Sequence, residues 1–150
     1  MRIDRLAADA YSKEKWIEAE ALALEGLCMA ESYPSNWNYG NVIHNSNQVL
    51  GLIRLQEGNK DEAIQKLLAA GRTPGSPQLN SFGPRMLLAK ALLQEGEREA
   101  VLQYVDLVGQ FWAQKSVQFP ELGREHKRLI QHWKKDIEAG NLPQHKLWNY

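Results

Sequence analysis

Apolar residues recur along this chain in steps of three and four. Val49, Leu50, Leu52, Ile53 and Leu55 form one stripe, which runs out at Glu57-Gly58. Ala63, Ile64, Leu67, Leu68 and Ala70 form a second, ending at Gly71. Met86, Leu87, Leu88, Ala91, Leu92 and Leu93 form a third, ending at Gly96. Val101, Leu102, Val105, Val108, Phe111 and Trp112 continue in the same style. That spacing puts the apolar side chains on one face of a helix. No alternating run of β-branched residues is long enough for a strand, so the pattern predicts an all-α fold.

The punctuation agrees with the stripes. Gly58, Gly71, Gly96 and Gly140 each follow a helical stretch, where a left-handed residue closes the last turn. Pro84 and Pro120 are predicted to open helices, because a first turn leaves its N–H unused. The links after Gly58 and Gly96 are short, and short links make helices antiparallel neighbours. Residues 41–57 should therefore pair with 60–70, and 84–95 with 98–113. Two longer breaks remain. One is Tyr33-Pro34-Ser35-Asn36-Trp37-Asn38. The other runs from Gly71 to Pro84 and contains Thr73-Pro74-Gly75-Ser76-Pro77, a density of breakers that predicts a defined loop rather than a helix.

Small residues then fall into register. Leu50-Gly51, Gly58, Ala63 and Ala70 are matched by Leu88-Ala89, Gly96, Val101 and Val108 at the same spacing. Leu6-Ala7, Ala10, Trp16, Ala19, Ala23 and Gly26 give a third copy, with Glu14 where the turn glycine would stand. This framework resembles the tetratricopeptide (TPR) repeat, in which small residues let helices approach closely and large ones fill the gaps beside them. The Trp and Tyr usual in the first helix of that repeat are missing from the second and third copies. The resemblance implies three antiparallel hairpins, about 1–30, 41–70 and 84–113, stacked in a right-handed solenoid. An amphipathic helix over about 120–139, with Leu122, Ile130, Trp133 and Ile137 inward, would cap the last hairpin. A tail over 140–150 would follow, all within one domain.

In TPR proteins the first helix of each hairpin lines a concave groove. The resemblance thus points to Asp4, Ala8 and Tyr11, to Asn45, Gln48 and Leu52, and to Met86 and Lys90. It implies a protein–protein interaction module whose groove takes a peptide or a helix, with Asp4, Tyr11, Asn45, Gln48, Leu52, Met86 and Lys90 as contacts. The same residues also suit an ordinary solvated face. The chaperone-tail clamp known in this family is not expected, since Asp4, Ala8, Val49, Gly83 and Leu87 occupy its positions. Two other readings stay open: a small-molecule binder or enzyme built on the 71–84 loop, and a self-associating structural protein, at its simplest a homodimer, using Trp37, Trp148 and Tyr150.

Composition narrows the field further. Lys plus Arg and Asp plus Glu number 18 each, so no basic excess argues for nucleic acid. The basic residues Arg124, Lys127, Arg128, Lys134 and Lys135 alternate with Glu121, Glu125, Asp136 and Glu138, as on a solvated helix face. No apolar run reaches the length of a membrane span or a signal peptide, which predicts a cytoplasmic protein. The single cysteine, Cys28, excludes an internal disulfide; its apolar surroundings predict a buried, inert thiol. His44, His126, His132 and His145 show no zinc-helix spacing, and no nucleophile elbow or phosphate loop occurs. No metal, cofactor or catalytic residue is therefore assigned, and the chain reads as a binding protein rather than an enzyme.

Overall fold

Each expected stripe becomes a helix, and a computed structural model describes residues 2–114 and 119–150. In chain order the helices are α1 (Ile3–Ser12), α2 (Trp16–Ser32), α3 (Tyr39–Gln56), α4 (Lys60–Gly71), α5 (Pro77–Phe82), α6 (Leu87–Gln94), α7 (Arg98–Trp112) and α8 (Pro120–Glu138), followed by a 3₁₀ turn at Lys146–Asn149. Among the described residues there is no strand, and the protein is all-α. Met1, with which the expected first hairpin begins, lies outside the described residues.

The glycine stops behave as helix chemistry requires, with two differences. Gly58, Gly96 and Gly140 have φ of +79°, +89° and +85°, the left-handed conformation that a Cβ disfavours. Gly71 does not; it is the last residue of α4, and a Cβ there would come within 2.9 Å of the Leu107 Cβ on α7. Its role is close approach between helices. The first turn is made without glycine, and Glu14 itself takes the left-handed conformation at φ +59°.

Two other expectations need correcting. The 71–84 segment contains a helix, α5. Ser76 caps it by accepting from the Leu79 N–H at 3.0 Å, and Pro77 takes the first turn. Pro84, by contrast, opens nothing: α6 starts only at Leu87. The intervening main chain is engaged elsewhere, because the Arg85 N–H donates to His44 Nε2 and the Arg85 carbonyl accepts from the Tyr104 hydroxyl.

Consecutive helices pack as pairs, α1 on α2, α3 on α4 and α6 on α7. α3 is central and touches α1, α2, α4, α5 and α6, whereas among the described residues α1 and α2 touch no helix other than each other and α3. The register residues explain the approach. Ala7, Ala19, Ala23, Leu50, Ala63, Ala70, Leu88, Ala89, Val101 and Val108 are all fully enclosed. A Cβ on Gly51 would lie 2.2 Å from Leu88 Cδ2, so any larger residue there would have to displace the Leu88 side chain that packs α6 on α3. Leu6, the counterpart of Leu50 and Leu88, is 52% exposed; among the described residues no further helix packs on α1.

On α2 the inner face is taken by Ala19, Ala23, Gly26 and Ala30. Cys28 is consequently turned outward and exposed, contrary to the buried thiol expected. Arg54 on α3 ties the neighbouring pairs together at their rim, bonding Glu20 of α2, Glu57, and Glu62 of α4, the last two at 2.9 Å.

The larger core lies between α4, α6, α7 and α8. Trp112, Trp133 and Trp148 meet there, with ring centroids 5.7 Å apart at each step. Ile130, Trp133 and Ile137 form the inner face of α8 as expected, but Leu122 is 42% exposed, because buried Gly123 faces inward in that turn. The tail folds back rather than hanging free. Trp148, expected at the surface, is 1% exposed, and the Met86 N–H donates to the main-chain oxygen of Tyr150 at 2.8 Å.

Candidate functional site

A buried helix with polar residues must satisfy them, and α3 carries an unusual number. Asn41, His44, Ser46, Asn47 and Gln48 are all buried on it. An unpartnered buried donor or acceptor costs about 1–3 kcal/mol; Ser46 Oγ and Gln48 Oε1 are left without a partner among the described residues, whereas Asn41, His44 and the Gln48 amide nitrogen each bond a neighbouring element.

Three links result. At the N-terminal end, Asn41 donates to Gln78 Oε1 at 2.7 Å, and the Ser76 hydroxyl donates to Asn41 Oδ1. The Thr73 hydroxyl donates to the Gly40 carbonyl at 2.7 Å. Together these hold α5 against α3. In the middle, His44 joins α4 to the 84–86 segment. Its Nε2 accepts from the Arg85 N–H, which leaves Nδ1 to carry the proton and donate to the Ala70 carbonyl at 3.0 Å. Further along, Gln48 Nε2 donates to the Tyr104 hydroxyl at 2.9 Å, which donates to the Arg85 carbonyl at 2.6 Å.

Burial sets the protonation of these groups. Desolvation pushes the His44 pKa down to about 4, with a smaller contribution from the nearby Arg85 charge. The ring is neutral at pH 7. Desolvation drives the Tyr104 phenol far above its ordinary value. Both side chains are enclosed and present nothing to a substrate.

Beside this network a concavity of about 90 Å³ opens between α1, α3, α5 and the end of the tail. Asp4, Arg5, Asn41, Asn45, Gln78 and Arg85 supply its polar lining, with Phe82 and Tyr150 at its edge. Asp4 is 3% exposed; its carboxylate accepts from Asn45 Nδ2 at 2.8 Å and more weakly from Asn38 Nδ2 at 3.5 Å. Arg5 and Arg85 differ from it. Neither forms an ion pair among the described residues. The Arg85 guanidinium instead lies 5.1 Å from the centre of the Tyr150 ring.

Of the groove residues expected from sequence, Asp4 and Asn45 share this concavity. Gln48 and Met86 do not reach any open surface, at 2% and 0% exposure. Gln48 is committed to Tyr104, and Met86 is enclosed in the larger core, its N–H bonded to Tyr150. Lys90 donates to Asn149 Oδ1 at 2.7 Å, so the tail lies along this stretch of α6. Tyr11 packs edge-on against Trp16, with centroids 4.9 Å apart. Leu52 is half-buried against the larger core. Sequence reasoning missed Arg5, Gln78 and Arg85. Each is an ordinary surface type, and only the folded chain brings them together.

A second concavity, about 130 Å³ and largely apolar, lies between Ile3, Met29, Tyr33, Trp37 and Val42. Among the described residues no group of three His, Cys, Asp or Glu side chains is placed to hold a metal ion. No helix among them is long and apolar enough to cross a membrane. No family model, curated protein or solved structure matches this chain.

Proposed function

We propose that this protein is a binding module with a TPR-like right-handed stack of hairpins, capped by α8, and that its concavity holds a carboxylate-bearing segment of a partner protein. The observation that carries this reading is the pair Arg5 and Arg85. Both line one small concavity and neither has a carboxylate partner among the described residues. Guanidinium groups recognise carboxylates through paired, charge-assisted hydrogen bonds. Asn45 Oδ1 and Gln78 Nε2 beside them supply amide groups suited to the main chain of an extended segment.

The repeat register supports the TPR-like part. The same small and large positions are enclosed in α3–α4 and in α6–α7. The tail is a neighbouring segment that this side of the molecule already holds. It lies against α6 through a main-chain hydrogen bond at Met86, a side-chain bond at Lys90 and an aromatic ring under Arg85. A non-catalytic role fits the titratable groups. The strongly perturbed ones, His44 and Tyr104, are structural and closed to solvent.

Selection of displayed peptides on the wild-type protein, with depletion on an Arg5→Glu/Arg85→Glu variant, tests this reading. The expected result is enrichment of peptides with Asp or Glu at one fixed position. Binding of those peptides should fall at least about tenfold when that residue becomes Asn or Gln, the loss of a charged hydrogen-bonded pair. Selected peptides without acidic residues, or equal binding to the variant, would overturn it.

A further inference from the structure

α2 is apolar on two opposite faces. Its small residues, Ala19, Ala23, Gly26 and Ala30, point into the protein. Ile17, Ala21, Leu24 and Cys28 are exposed, Ile17 by 87% and Leu24 by 49%. At 100° per residue these four fall within an arc of about 60°, directly opposite the buried face. They form a straight ridge about 16 Å long, or three turns. An outward apolar ridge on a helix is a surface that a partner can cover.

The other hairpins show that this ridge is not a by-product of the repeat. In the shared register Ile17, Ala21, Leu24 and Cys28 correspond to Asp61, Gln65, Leu68 and Arg72 on α4, and to Glu99, Gln103, Asp106 and Gln110 on α7. Seven of those eight are polar, and all seven are exposed. The exception, Leu68, is half-buried against the larger core. Water therefore meets polar side chains on the outer face of α4 and α7, and aliphatic ones on that of α2.

The flanks of the ridge are acidic. Glu18 and Glu25 lie along one side and Glu31 along the other, all exposed. Lys15 pairs with Glu18 at 3.1 Å; Glu25 and Glu31 have no ion pair among the described residues. We propose that this ridge docks an amphipathic helix of a partner protein whose own apolar stripe is flanked by Lys and Arg. Charge selects that occupant. Two copies of α2 laid together would oppose Glu to Glu, and an anionic lipid surface would be repelled. A basic-flanked helix gains at both edges while covering the ridge.

The ridge lies on α2, which lines no part of the concavity assigned to carboxylate binding, so the two proposals are separable. The test uses two synthetic helical peptides with leucine at i, i+4, i+7 and i+11, one flanked by lysines and one by glutamates. Titration by fluorescence anisotropy should show saturable binding of the lysine peptide, about tenfold or more tighter than the glutamate peptide and weakened by salt. Bound peptide should slow alkylation of Cys28, the single thiol. Ile17→Gln/Leu24→Gln should abolish binding at unchanged helicity. Glu25→Lys/Glu31→Lys should shift the preference toward the glutamate peptide, and Arg5→Glu/Arg85→Glu, which removes any carboxylate binding in the concavity, should leave the binding of the lysine peptide unchanged. Equal binding of both peptides, binding of neither, or binding retained by the Gln variant would overturn the proposal. So would self-association in sedimentation that the Gln variant removes, since the ridge would then belong to a second copy.

Discussion

His44 is a histidine that folding keeps from charging. Its folded pKa of about 4 lies below the unfolded value of 6.5. Above pH 6.5 neither state binds the proton, and stability is greatest. Between pH 6.5 and 4 the unfolded chain takes up a proton that the folded ring refuses, so stability falls with pH by about 3 kcal/mol in total. Urea unfolding at pH 7 and pH 5 should show this slope, and His44→Asn should flatten it. Tyr104 makes a comparable test. Tyr104→Phe removes the hydroxyl that accepts from Gln48 and donates to the Arg85 carbonyl. Both groups are left without that partner, and the variant should lose about 2 kcal/mol in denaturant unfolding. Neither role was legible in the sequence. A histidine and a tyrosine inside helical stripes look like any others, and their partners lie 26 and 56 residues away along the chain.

At the scale of elements, the sequence was most informative where a local rule acts alone. The apolar stripes of α3, α4, α6 and α7, the glycines at 58, 96 and 140 and the proline opening α8 each depend on backbone sterics and helix period. Reading failed where tertiary partners decide. Met86 looked like a groove residue because its place in the helix period was visible, whereas the tail that covers its stretch of α6 was not. α5 looked like a loop because prolines and glycines crowd it. Yet Ser76-Pro77 is also a helix start, and Asn41 fixes its cap from across the fold. The turn at Glu14 is the converse case. The missing glycine was visible in the sequence, and in the fold Glu14 takes the left-handed conformation itself, with φ of +59°. Glu14→Gly should relieve a left-handed non-glycine residue and, net of glycine's entropy cost, raise stability by about 0.5–1 kcal/mol. Thermal unfolding followed by circular dichroism would measure this.

For the whole molecule, three tryptophans decide how the chain ends. Trp112, Trp133 and Trp148 link α7, α8 and the 3₁₀ turn in one aromatic cluster, the first pair stacked and the second edge to face. Trp148→Ala should cost about 3 kcal/mol. It should also speed hydrogen exchange at the Met86 amide, whose acceptor is the Tyr150 main-chain oxygen, while α3 stays protected. Uniformly faster exchange would instead show that the tail and the core unfold together.

The central position of α3 also has a mechanical meaning. Among the described residues the first two helices reach the other helices only through it, so it acts as a single axle about 27 Å long. Apolar surfaces alone would let the axle slip by a turn, since one leucine can replace another. The bonds of Asn41, His44, Asn45 and Gln48 act as keys cut along its length, and a slip of one turn would break them together. A load applied on α2 therefore reaches α4 to α8 as torque on a keyed shaft. Both ends turn as one body until a key shears.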